Sequence, residues 1–337
     1  MTSYERVYAR LEGKPVDRVP NLNILMQFAA KYIGVPYGKY CTDYRCLVEG
    51  NIKCCRDFSI DMVSAISDPF RETSGFGADV IIPYDDVPLC KDYLLKGYGD
   101  VKKLKTVNPY EAERMYDRIK AVELYKQSVA GEFPILGWCE GPIAEASDLR
   151  GINQICLDLI DEPEFVEELM DICVENAIAF ASEQIKAGAD FMGVGDAAAS
   201  LIGPRVYEEY VLPREKKLFD AIHSMGARVK LHICGNITPM LDLLPLTGAD
   251  IIDIDWMVDF EEAIRKFGGR ASVCGNFDPV KILLQGNQED VWRSVKDCLD
   301  VSDDRTFISA GCEVPKFTSP ENLKAVYEAL KHYGGRF

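Results

Sequence analysis

From about residue 130 onward the chain repeats one unit, a short apolar strand, a turn and an amphipathic helix, and this repeat limits the fold more than any other feature. Strand-like runs stand at 133–140 (FPILGWCE), 190–197 (DFMGVGDA), 228–235 (RVKLHICG), 250–256 (DIIDIDW), 271–278 (ASVCGNFD) and 306–313 (TFISAGCE). Between them lie stretches such as EPEFVEELMDICVENAIAFASEQIKAG, with apolar residues at helical spacing. The tetrads GADF, GARV, GADI and GGRA each close a helix on glycine and open a strand. Two upstream runs, 19–26 (VPNLNILM) and 78–85 (ADVIIPYD), bring the expected strands to eight. Eight alternating units without a glycine-rich phosphate loop predict an α/β fold of the (β/α)8 TIM-barrel class, not a doubly wound sheet. No linker divides the chain, so one domain over residues 1–337 is expected, with an N-terminal helical extension and long insertions at 27–77 and 84–130.

Composition narrows the partners. A formal net charge of −16 argues against nucleic acid and anionic membrane surfaces, which attract positive proteins. The start MTSYERVYARLEGKPVDRVP lacks the charged-then-apolar order of a signal peptide, and a cytoplasmic location is expected. Twelve cysteines without paired CxxC motifs read as reduced thiols, most of them small buried hydrophobes.

In a TIM barrel the chemistry sits at the C-terminal ends of the strands. Here those ends carry Asp85 and Asp86, Glu140, Asp196, His232 with Cys234, Asp253 with Asp255, Asn276 with Asp278, and Cys312 with Glu313. Residues i and i+2 of a strand share a face, so His232 and Cys234 are able to hold one object. A lone HxC also has a structural reading, with a buried thiol and a histidine satisfying a backbone group. Cys312, next to a glycine at the end of another strand, tips the balance toward a Cys2His zinc site whose fourth position stays open, the mark of a catalytic metal. Zinc in such a site lowers the pKa of an incoming thiol and holds it as a thiolate nucleophile. Glu140, in the tight CEGP turn, is a candidate catalytic carboxylate, either as a displaceable fourth ligand or as a partner for His232. Asp196 is a second candidate, with capping of the next helix as its alternative. Asp85, Asp86, Asp255 and Asn276 are candidates for binding substrate, and carboxylates alternating along a central strand are costly unless paired or functional.

The segments LHICGN, SAGCEVP, GDAAASLIGPRVYEEYVLP and GWCEGPIAEASDLRG together resemble the uroporphyrinogen decarboxylase superfamily, and within it the zinc-dependent corrinoid methyltransferases. The resemblance runs from PVDRVP to the last helix. It implies zinc on His232, Cys234 and Cys312, and a methyl group moved between a corrinoid and a thiol or similar acceptor in one-carbon metabolism. The chain has no DxHxxG motif to ligate a corrinoid, so the corrinoid, as methylcobalamin, would arrive on a separate protein. The other enzyme reading is a uroporphyrinogen decarboxylase-type lyase, with Asp85 or Asp86 in the place of that branch's catalytic aspartate. That branch anchors substrate carboxylates with an arginine-rich segment after its first strand, whereas residues 21–35 of this chain hold Lys31 and no arginine. A third reading is a barrel that binds a methylated ligand without turning it over.

Overall fold

A computed structural model describes residues 1–335, so the last two residues of the expected 1–337 domain lie outside the described residues. Parallel pairing joins seven strands in the order β1 (Val63–Ser64), β4 (Ile135–Glu140), β5 (Phe191–Gly195), β6 (Arg228–Ile233), β7 (Ile251–Ile254), β8 (Ser272–Phe277) and β9 (Phe307–Ala310). Residues 20–22 complete the ring. Leu22 N donates to Ile308 O at 3.0 Å and Ile308 N to Pro20 O at 3.2 Å, while Asp61 N donates across the other side to Asn21 O at 2.8 Å. Seven strands and this closing segment make the expected barrel, with helices between consecutive strands.

Every residue of β4, β5, β7, β8 and β9 is buried, because a parallel sheet covered on both faces offers no wet side. The apolar residues divide accordingly. Leu22, Leu136, Phe191, Ile251 and Phe307 belong to a small cluster filling the barrel, and a much larger cluster packs the strands against the helices. Among the described residues no helix is long and apolar enough to cross a membrane. All twelve cysteines are free, and Cys54 and Cys55 are both buried.

One expected strand is misplaced. Residues 78–85 do not enter the barrel; β2 (Val80–Ile81) pairs antiparallel with β3 (Leu89–Cys90) as a small hairpin, and Ile81 and Leu89 are exposed. The barrel position belongs to β1, inside the segment read as an insertion. The run from 60 to 67 is interrupted by Asp61 and Ser64, which hid it from a hydrophobicity reading. Both polar residues are satisfied in the interior. Ser64 N donates to Asn51 Oδ1 at 3.0 Å, and Tyr125 Oη donates to Ser64 O at 2.9 Å.

Asp61 ties the first helix, Ser3–Leu11, to the barrel. Its carboxylate accepts from Arg6 Nη1 at 2.7 Å, Arg18 Nη1 at 2.6 Å, Ser3 Oγ at 2.8 Å and Asn21 N at 2.7 Å. Arg18 also lies over the ring of Tyr327 at 5.3 Å, so this end of the barrel joins both ends of the chain. Removing one partner of such a buried network leaves uncompensated charge. Asp61→Ala is expected to lower unfolding stability by about 3–5 kcal/mol, read from urea midpoints, because among the described residues Arg18 loses its one carboxylate partner and Arg6 one of two.

Candidate metal centre

Strand β6 carries Lys230 and His232 on one face, and its parallel register sets His232 opposite Asp253 of β7. The His232 Nδ1 atom lies 3.2 Å from the Asp253 carbonyl oxygen and 3.5 Å from its Oδ2. The Asp253 carboxylate in turn takes a short hydrogen bond from Lys230, and all three side chains are buried. With Nδ1 occupied, Nε2 points the other way, 3.1 Å from Cys234 Sγ, and Cys234 Sγ lies 3.7 Å from Cys312 Sγ.

The three donor atoms lie within 4.8 Å of one another, and among the described residues no other set of three or more such side chains is so arranged. Two thiolates on a tetrahedral zinc stand about 3.8 Å apart, so the sulfur spacing suits the ion. Two sulfurs and one imidazole are also the donors that a borderline-soft cation prefers. The charges agree. Cys312 is brought down to about 4, first by the hydrogen bond from Cys234 and then, against burial, by His232. Cys234 is pushed up, first by its hydrogen bond with Cys312 and then by burial. Burial works against a charge on His232, but Cys234 and Asp253 hold its pKa well above the usual imidazole range.

The loops holding these ligands are fixed from behind. Asp255 Oδ2 accepts from Gly235 N at 2.8 Å, which pins the turn after Cys234. Asn276 Nδ2 donates to Asp255 O at 3.1 Å and Val258 O at 2.6 Å. Of these two residues, expected to bind substrate, Asp255 braces the loop after β6 and Asn276 the loop after β7. Gly311 is needed beside Cys312, because a Cβ there would stand 2.3 Å from Trp256 N.

The trio opens into a cavity of about 240 Å³, whose walls include Ile24, Met26, Ile66, Trp138, Asp68, Glu140 and Glu313. Glu140 therefore reaches the mouth, as expected. It is not among the clustered ligands, and the carboxylate partner of His232 is Asp253. Instead Glu140 Oε1 accepts from Arg71 Nη2 and, at 3.2 Å, from Trp138 Nε1. Burial outweighs Arg71 and keeps the Glu140 carboxyl well above the usual range. Glu313 is pushed up to about 7, by burial first and then by the charge of Cys312.

Asp85 and Asp86 do not line this cavity. Asp85 accepts from Tyr37 N at 3.0 Å and pairs with Lys316 at 3.0 Å, and Asp86 accepts from Gln27 Nε2 at 3.3 Å. The carboxylate that follows the second barrel position is Asp68, which the misplaced strand concealed. Arg114 grips it with both Nη atoms, Ser67 Oγ donates to it at 2.7 Å, and, although burial opposes the charge, Arg114 holds it down at about 2. Arg71 and Arg114 are cations behind the cavity wall that the strand-end reading missed, and they are bound to the lining carboxylates Glu140 and Asp68.

Asp196 is turned into the protein, although Gly195 and Ala197 on either side line the cavity. Its Oδ1 accepts from Ala144 N at 2.7 Å in the first turn of the earlier helix Pro142–Arg150, whereas the expected cap of the helix that follows Asp196 is not formed, its side chain making no capping hydrogen bond to Ala197–Leu201. Gly141 permits the approach, since a Cβ there would stand 2.4 Å from Asp196 Cγ. Asp196 and Glu215 face each other as a carboxyl pair, with no other donor to Asp196 Oδ2 or Glu215 Oε1 among the described residues, while Tyr207 Oη donates to Glu215 Oε2. Burial raises both acids, Asp196 to about 7. A carboxyl raised on folding stabilises while protonated and loses that contribution as pH climbs through its folded pKa. The melting temperature is expected to fall as pH rises from the ordinary carboxyl range toward about 7 and to level off above it, and Asp196→Asn to flatten that fall in calorimetric scans.

The family model described as uroporphyrinogen decarboxylase (URO-D) matches residues 2–333. A methylcobamide:CoM methyltransferase of Methanosarcina acetivorans is 30% identical, with 99% of each chain covered. A uroporphyrinogen decarboxylase of Carboxydothermus hydrogenoformans is 26% identical over 95% of this chain and 93% of that protein. Among solved structures, a methyltransferase from Methanosarcina mazei superposes with a TM-score of 0.91 at 22% identity, covering 99% of both chains, which establishes the fold. With a family match across nearly its whole length, the chain belongs to the uroporphyrinogen decarboxylase family of enzymes.

Proposed function

We propose that this enzyme is a zinc-dependent methyltransferase that moves a methyl group between a corrinoid, carried on a separate protein, and a thiol. The observation that carries the proposal is the Cys2His cluster of His232, Cys234 and Cys312 opening directly into the barrel-mouth cavity. The methylcobamide:CoM methyltransferase names of relatives that cover 99% of the chain support it. Zinc on these three residues would supply a Lewis acid that favours the thiolate form of an incoming thiol at neutral pH.

The protein's own groups serve that chemistry in three ways. Asp253 accepts a hydrogen bond from His232 Nδ1 and leaves Nε2 free to ligate, and Lys230 keeps Asp253 ionised despite its burial. Ile24, Met26, Ile66 and Trp138 give the cavity apolar walls that limit water around a nucleophilic sulfur. A cavity of about 240 Å³ admits a small thiol but not a corrin ring, so the macrocycle would have to present its methyl group at the opening.

The decarboxylase alternative has less support from the mouth. A substrate with many carboxylates needs free cations, and both Arg71 and Arg114 are engaged.

Purified protein is expected to hold about one zinc per chain by elemental analysis, and Cys234→Ala or Cys312→Ala to lose it. Asp253→Asn should weaken zinc about 10–100-fold in a chelator competition, since the histidine keeps the Asp253 carbonyl but loses the charge of its carboxylate. Thiol-dependent demethylation of methylcobalamin, followed by its visible spectrum, should vanish in His232→Ala. Uroporphyrinogen turnover that survives zinc removal would overturn the proposal and favour the decarboxylase.

A further inference from the structure

Capture of a thiol as thiolate breaks an S–H bond, and the proton needs a destination. The cavity wall beside the ligand cluster has one. Glu140 stands at the cavity end of a carboxylate cluster that continues through Glu72 of helix Arg71–Gly75 to Glu145 and Asp148 of helix Pro142–Arg150. Glu72 Oε1 accepts from Glu140 N at 2.9 Å, and Glu145 Oε1 accepts from Thr73 Oγ1 at 3.0 Å. Asp148 is the one member that is partly exposed.

The cluster is short of cations. Asp68 and Arg114 neutralise each other nearby, which leaves Arg71, among the described residues, as the single guanidinium for Glu72, Glu140, Glu145 and Asp148. Glu72 Oε2 and Glu145 Oε2 are buried and have no hydrogen-bond donor. Four buried or half-buried carboxylates cannot all be ionised around one cation, so some of these oxygens must carry protons.

Resting on the methyltransferase reading, we infer that this cluster takes up the proton released by an incoming thiol, with Glu140 as the group that meets the cavity and Asp148 as the outlet to solvent. In this step the S–H bond breaks, the sulfur keeps the electron pair, and the proton forms an O–H bond on a carboxylate. The driving force is local charge. A thiolate in the cavity adds a negative charge near Glu140 and makes a protonated cluster more favourable. The groups that face Glu140 are Arg71 and Glu72 from one helix, Asp148 from another and Trp138 from its own strand. Burial and neighbouring acids place Asp148 at about 7, so the cluster is able to change its proton count near neutral pH.

The test counts protons. Coenzyme M is added to zinc-loaded protein in weak buffer with an indicator dye, and its binding to the metal is followed separately by the absorption of the cobalt(II)-substituted protein. Near pH 7 the wild type is expected to release clearly less than one proton per thiol bound, and Glu140→Gln about one, the full count for capture of a neutral thiol. Asp148→Asn, at a partly exposed position, should also bring the count up to about one near neutral pH. A full proton from the wild type, or an unchanged deficit in both variants, overturns the relay while leaving the methyltransferase reading intact. A thiol that never perturbs the cobalt(II) spectrum overturns the reading and the relay together.

Discussion

The barrel interior contains a buried carboxylate, Asp253, held between a buried lysine and a buried histidine on the neighbouring strand. None of the three would be tolerated there alone, since a lone charge out of water costs several kcal/mol. Together Lys230 and His232 compensate the buried charge of Asp253, and His232 does so because β6 and β7 run parallel with His232 opposite Asp253. That register decides which imidazole nitrogen faces the cavity, and hence where Cys234 and Cys312 must stand to share a ligand with it.

The mouth that results is chemically divided. One part is the soft donor set of two sulfurs and a nitrogen, braced by Asp255 and Asn276. The other is a group of carboxylates organised around Arg71 and Arg114, with Glu140 and Asp68 reaching the cavity. The first part suits a cation that activates a sulfur, and the second suits the handling of the proton that such activation sets free. The apolar walls between them keep both in a poorly hydrated space, where charge interactions count for more than in water.

How far the sequence could be read depended on periodicity. Six barrel strands after residue 130 were legible because each is a buried apolar run, four of them opened by a glycine that closes the preceding helix. Val63–Ser64 was not, because Asp61 and Ser64 interrupt it and their partners Arg6, Arg18, Asn51 and Tyr125 come from remote parts of the chain. A single misplaced strand carried the wrong carboxylates with it, so Asp85 and Asp86 stood in for Asp68. Asp196, Asp255 and Asn276 were correctly read as strand-end polar residues, but position along a strand does not tell whether a side chain faces a cavity or turns back to cap and brace.

The sequence by itself determined the alternating α/β architecture and the cluster of His232, Cys234 and Cys312, because both follow from spacing along the chain and from a barrel that gathers strand ends at one mouth. Only the tertiary structure decided which carboxylates serve that mouth. Asp253 with His232, Arg71 with Glu140 and Arg114 with Asp68 are pairings between different elements, and their cost and benefit depend on burial, distance and the count of nearby charges. Those quantities exist only once the chain is folded, and no local pattern of residues encodes them.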